Sequence, residues 1–199
     1  KHIFLFLDYD GTLTPIVEYP DKAILSKETK GVLKKLSASR KYKSAIISGR
    51  SLKDIKNMVS LRDIIYAGNH GLEIEGPKIK FESPVSPRIK SVIKYIKEEL
   101  SRRLSMIKGT FVEDKELSLS IHYRLAKEKD ILLIKKIFDE VTHFFSVRGK
   151  IKISLGKKVF EVKPPLEWDK GKVVLWLLAR QKFILKNKKI FPVYMGDDV

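Results

Sequence analysis

The chain has 199 residues and no cysteine, and its 41 Lys and Arg against 24 Asp and Glu give a formal net charge of +17. A composition of 43% hydrophobic and 33% charged residues describes a globular chain with a core, without disulfides or thiolate metal sites. Its longest apolar run, "VVLWLLA" at 173–179, is far too short to span a membrane.

The first element is "HIFLFLDYD", a fully buried strand that runs into two acids, Asp8 and Asp10. A helix follows over 26–39 with Ser26 as N-cap, then a strand over 43–50, then a helix over 51–59 with Ser51 and Asp54 at capping-box spacing. A third apolar strand, "DIIYAGNHG" at 63–71, ends in a polar turn. This β-α-β-α-β order predicts a parallel sheet with right-handed crossovers. The pattern then changes. A hairpin over 72–82 turns at Gly76-Pro77, and a long amphipathic helix over 86–104 starts with Ser86 and Pro87. Two strands follow, at "TFVED" and "ELSLSIHYR", then a helix over 130–144, then two further strands within 149–164. After Pro164-Pro165 come the helix "DKGKVVLWLLARQ" and the apolar strand "KIFPVYMGDDV", which again ends in two acids. Residues 80–163 therefore read as an inserted αββαββ block, and residues 1–79 with 164–199 as a Rossmann-like parallel-sheet core. The insertion is expected to move as a lid, with hinges at Gly76-Pro77 and Pro164-Pro165.

In an open parallel sheet, ligands bind outside the carboxyl ends of the strands. Asp8 and Asp10, Ser48-Gly49-Arg50, and Gly196-Asp197-Asp198 all fall at such ends, and Lys170 starts the helix after the insertion. Acids gathered in this way need a cation, and an all-oxygen donor set favours a hard ion such as Mg²⁺. A carboxylate beside Mg²⁺ and a lysine suits phosphoryl transfer through an aspartyl phosphate. A lone Asp-x-Asp is turn punctuation as often as chemistry. Four elements in order, each at a strand end or helix start, carry more weight.

"DYDGTLTPI", "ISGR", "WDKGK" and "GDDV" resemble the four motifs of the haloacid-dehalogenase (HAD)-like phosphatases. "AGNHGLEI", "VEDKELSLSIHYR" and "FEVKPPLEWDKGKVVLWLL" narrow the resemblance to the trehalose-6-phosphate phosphatases. The resemblance implies an α/β HAD core with an inserted α/β cap for substrate specificity. It implies Mg²⁺-dependent hydrolysis of trehalose 6-phosphate to trehalose and phosphate. Asp8 would be the nucleophile and Asp10 the general acid and then base. Ser48 and Lys170 would hold the phosphoryl oxygens. Asp8, the Asp10 main chain and Asp197 would form the metal site, with Asp198 beside it. Glu113, Lys115 and Glu161 would grip the sugar from the cap, and Asn69 from the core. Arg50 would either contact phosphate or serve in a structural pair. Thr12 and Gly11 would shape the loop, and His70 the turn. The family's last motif continues with a further acid, expected beyond Val199.

Other HAD sugar-phosphate phosphatases, acting on sucrose phosphate or mannosyl-3-phosphoglycerate, are the nearby alternatives. The scattered lysines, as in "GKIKISLGKK", include no arginine-rich or basic-aromatic block. They read as a solvated surface that draws anionic substrates, so neither nucleic-acid nor membrane binding is expected. A nucleic-acid-binding protein would leave the four ordered motifs unexplained; a catalytically silent partner module is the third alternative, because the sequence stops before the end of the fourth motif. The expected setting is cytoplasmic, and the candidate macromolecular partner is a trehalose-phosphate synthase, fused or separate.

Overall fold

The structure, a computed structural model, describes residues 2–184 and 189–197. The chain divides into two compact units, Lys1–Ser83 with Trp168–Val199, and Pro84–Glu167.

The first unit is built on a six-stranded sheet. Its strands are β1 (His2–Asp8), β2 (Tyr42–Ile47), β3 (Ile65–Gly68), β4 (Glu73–Gly76), β5 (Ile79–Glu82) and β10 (Ile190–Met195), in the order β10-β1-β2-β3-β4-β5. The strands from β10 to β3 are parallel and the last two pairings are antiparallel. Helices α1 (Lys27–Ala38) and α2 (Leu52–Val59) connect the first three strands, and α5 (Lys170–Ile184) precedes β10. The apolar run of β1 is continuous because both of its faces are covered. Leu5 and Leu7 pack with Leu33 of α1 and with Ile55 and Val59 of α2. Phe4 and Phe6 pack on the other side with Val173 and Leu177 of α5. Full burial of each such side chain contributes about 1.5–3 kcal/mol.

The expected caps form. Ser26 Oγ accepts the Thr29 N–H at 3.0 Å, and Ser51 Oγ accepts the Asp54 N–H at 3.1 Å while donating to Asp54 Oδ2 at 2.6 Å. The third strand gives way to the expected polar turn. It stops at Gly68, because Asn69, His70 and Gly71 take φ values of 50, 55 and 99° and turn the chain out of the sheet. Gly71 is required there twice over: its φ is left-handed, and a Cβ would lie 1.9 Å from Val173 Cγ2.

The boundaries between units fall four residues beyond the expected ones. β5 pairs with β4 along its whole length and so belongs to the first sheet. Gly76-Pro77 is therefore the tip of a hairpin inside that unit, with Lys78 at φ 60°, and not a crossing between units.

The second unit contains α3 (Pro87–Leu104), β6 (Phe111–Asp114), β7 (Leu119–His122), α4 (Ile131–Val147), β8 (Lys152–Gly156) and β9 (Val159–Lys163). Its four strands form an antiparallel sheet ordered β6-β7-β9-β8. Strand alternation sends Leu119, Ile121, Phe160 and Val162 into a core with Ile93, Ile96 and Leu100 of α3 and Ile134 and Phe138 of α4. α4 runs three residues past its expected end at 144. No breaker intervenes before Gly149, which takes φ 62°, and Arg148 lies 3.6 Å over the Phe144 ring.

Candidate active site

The carboxyl ends of β1, β2, β3 and β10 lie side by side in the first sheet, and the chemistry-bearing residues follow directly after them. Asp8 closes β1 and is 3% exposed. A buried carboxylate must be compensated, and here each oxygen has a partner. Oδ1 accepts the Tyr9 N–H at 2.7 Å, and Oδ2 accepts from Lys170 Nζ at 2.5 Å. Lys170 is delivered by the first turn of α5, which Asp169 caps by accepting the Lys172 N–H at 2.8 Å.

The loop after Asp8 is a tight turn around one carbonyl. Tyr9 O accepts the N–H groups of Leu13 and Thr14, each at 3.0 Å, and Gly11 N–H donates to Thr14 O at 2.8 Å. The Asp10 carboxylate stands in this turn and takes a two-pronged contact from Arg50. Nε donates to Oδ2 at 2.9 Å and Nη2 to Oδ1 at 2.6 Å. Ser48 is fully buried after β2, and its Oγ accepts the Arg50 main-chain N–H at 3.2 Å. Its hydroxyl remains a donor.

Asp197 follows β10. A Cβ placed on Gly11, at φ 83°, would lie 2.3 Å from Asp197 Oδ2. The Asp197 carboxylate thus rests against the bare Cα of Gly11, in the turn that separates Asp8 and Asp10 from the rest of the loop. Asp198 lies outside the described residues. Asn69 is 1% exposed, and its Nδ2 donates to Glu73 Oε2 at 2.7 Å. The structure pairs Asp8 with Lys170 and Asp10 with Arg50, whose main-chain N–H reaches Ser48, and sets Asp197 against Gly11.

The residues expected in the insertion form a second set, within the second unit. Lys115 Nζ stands 3.9 Å from Glu113 Oε2 and 4.0 Å from Glu161 Oε1. Register explains the meeting: Glu113 is opposite Ser120, Ser120 opposite Glu161, and Glu161 opposite Ser154, a row across all four strands. The row lies on the sheet face opposite the α3 and α4 core. Neighbours that sequence reading left unassigned also join it. His122 Nε2 lies 2.7 Å from Glu113 Oε2 and its ring stacks on Phe111. Ser154 Oγ donates to Glu161 Oε2 at 2.9 Å, and Lys163 pairs with the same oxygen at 2.6 Å. The alternation in "ELSLSIHYR" already put Ser118, Ser120 and His122 on one face, and that was the available signal for His122.

Among the described residues, no three His, Cys, Asp or Glu side chains gather as a metal site. The Asp10 carboxylate is taken up by Arg50. Asp8 and Asp197 carry carboxylate oxygens, hard donors of the kind an ion such as Mg²⁺ takes.

The family model described as trehalose-phosphatase matches residues 6–199. The chain belongs to the trehalose-phosphatase family. Probable trehalose-phosphate phosphatase D of Arabidopsis thaliana is 36% identical over 211 residues, covering 100% of this chain and 54% of that protein. Trehalose-phosphate phosphatase B of Arabidopsis thaliana is 34% identical over 211 residues, with the same coverage of both chains. The chain thus spans about half the length of these relatives. Among solved structures, the C-terminal domain of a C. albicans trehalose-6-phosphate phosphatase superposes with a TM-score of 0.81 at 26% identity, covering 100% of this chain and 71% of that one. The parallel-sheet unit has the HAD-like architecture of the trehalose-phosphatase family.

Proposed function

We propose that this protein hydrolyses trehalose 6-phosphate to trehalose and phosphate through an aspartyl-phosphate intermediate. The observation that carries the reading is the buried Asp8 carboxylate, fixed by the Tyr9 N–H and by Lys170 at the carboxyl end of the sheet. Family membership and the names of the relatives support the substrate.

In this reading an Asp8 oxygen attacks phosphorus and forms a P–O bond. The bond from phosphorus to the sugar oxygen breaks, and its electron pair leaves with that oxygen, which takes a proton from Asp10. A water then attacks the phosphoryl group and gives a proton to the Asp10 carboxylate. The bond from Asp8 to phosphorus breaks, releasing phosphate and restoring the Asp8 carboxylate. Lys170 and the Ser48 hydroxyl offset charge on the phosphoryl oxygens. Asp8, Asp197 and the main-chain carbonyl of Asp10 would hold Mg²⁺, which when bound neutralises charge on the transferring group. The second unit would serve as the specificity cap, with Glu113, Lys115 and Glu161 hydrogen-bonding sugar hydroxyls. Glu161 and Glu113 accept and the Lys115 ammonium donates, the pairing that a polyhydroxylated, otherwise uncharged sugar calls for. Asn69 would assist from the first unit.

Phosphate release tests this. Trehalose 6-phosphate should be the preferred member of a panel with sucrose, glucose and mannosylglycerate phosphates. A chelator should abolish release, and added Mg²⁺ should restore it. Equal turnover of all four substrates would remove the assigned specificity, and turnover in excess chelator would remove the metal.

A further inference from the structure

The sequence left two roles open for Arg50, and the geometry points to one of them. We infer that Arg50 is the positioning residue for Asp10: it holds the general acid in line through both carboxylate oxygens, and is itself braced by the left-handed turn at 69–71. This inference rests on the proposed acid–base role of Asp10.

Three observations support it. The first is the fork itself. Nε and Nη2 engage different oxygens of one carboxylate at 2.9 and 2.6 Å, which fixes the plane of the group as well as its distance. A carboxylate has about four lone-pair sites, so two remain beyond the fork. The second is burial. The Arg50 side chain is 8% exposed against 40% for Asp10, so the cation is the fixed partner and the acid the accessible one. The guanidinium also lies 5.4 Å from the centre of the buried Tyr9 ring.

The third is the brace behind Arg50. Its carbonyl accepts the Asn69 N–H at 2.7 Å, and Ser48 O accepts the His70 N–H at 2.9 Å. The His70 ring seats on Gly49, where a Cβ would lie 2.8 Å from Cε1. Asn69 and His70 present those N–H groups because both adopt positive φ. The "GNHG" turn thus locks the 48–50 loop, and the loop aims Asp10.

A positioning role and a phosphate-binding role predict different kinetics. Protonation of the leaving group matters most when that group is a poor one. A sugar alkoxide needs the proton, and a nitrophenolate does not. The test uses the full-length protein and its Arg50→Met and Arg50→Lys variants. It measures kcat/KM, which reports steps through leaving-group departure, on trehalose 6-phosphate and on a series of aryl phosphates of graded phenol acidity. Inhibition by inorganic phosphate is measured in parallel, and thermal melting confirms folding.

Both variants should lose about 10²-fold or more on the sugar phosphate. Loss on the aryl series should grow as the phenol becomes less acidic, staying under about tenfold for nitrophenyl phosphate. Inhibition by phosphate should change little. Lysine should not rescue, since a point charge cannot reproduce the fork. Equal losses on every substrate with weakened phosphate inhibition, or rescue by lysine, would overturn the inference and make Arg50 a phosphate ligand. So would full activity of the folded Arg50→Met variant on the sugar phosphate. The wild-type rates separate this from the reading it rests on. If wild type cleaves aryl phosphates but not trehalose 6-phosphate, the substrate assignment fails, while the slope of the aryl series still decides the role of Arg50.

Discussion

Tyr9 stands between the two aspartates with its ring fully buried and its hydroxyl donating to Ala23 O at 2.7 Å. Burial pushes its phenol above the usual tyrosine value; the Arg50 guanidinium opposes this and the Asp10 carboxylate adds to it. The folded state therefore favours the protonated phenol. That stability is intact below the ordinary tyrosine pKa of about 10 and is lost as pH rises above it. Tyr9→Phe should cost about 1 kcal/mol at neutral pH, read by urea unfolding, because the Ala23 carbonyl loses its donor. The difference between wild type and variant should shrink above about pH 10. A variant as stable as wild type at neutral pH would remove the anchoring role. At this scale the sequence was legible where a residue type had a single role. Asp8 stands at a strand end and Lys170 at a helix start, as their positions suggested, while the roles proposed for them come from the family resemblance. Asp10 was not fully read, because its partner Arg50 is 40 residues away and no local pattern announces a fork between two loops. Tyr9 was missed because a tyrosine between two acids looks like a spacer until its ring is seen buried.

The elements were legible wherever one face was apolar and the ends were capped. Ser26, Ser51 and Ser86 each mark a helix start, and each accepts a main-chain N–H there. The third strand was legible too, since the apolar "IIYAG" gives way to the polar "NHG", where positive φ turns the chain out of the sheet. In the antiparallel sheet of the second unit, the cross-strand register that brings Glu161 to Glu113 and Lys115 is set by pairing through β7. This row supplies the next prediction. Lys115→Ala and Glu161→Ala should each lower kcat/KM for trehalose 6-phosphate by at least tenfold, about 1.4 kcal/mol. Nitrophenyl phosphate, which offers no sugar hydroxyls, should be hydrolysed almost as fast as by wild type. Equal losses on both substrates would place the pair in folding or catalysis.

At the scale of the whole molecule, the +17 charge is the dominant long-range feature. It favours the approach of a dianionic sugar phosphate and is screened by salt, with a Debye length near 10 Å at 0.1 M falling to about 3 Å at 1 M. kcat/KM for the sugar phosphate should fall steadily between those salt concentrations while kcat changes much less; a flat response would show that the lysines do not assist capture. The chain divides into two compact units, and strand spacing and helix length change together near residue 80. The first boundary lies beyond residue 79 because β5, whose last residues read as insertion in the sequence, completes the first sheet. All of these features serve one claim, that Asp8 carries the phosphoryl group. The most direct measurement is turnover of trehalose 6-phosphate by purified, folded Asp8→Asn protein. An amide is a poor nucleophile, so turnover should vanish while the melting profile stays cooperative. A folded variant keeping more than about a tenth of the wild-type rate would contradict the covalent mechanism.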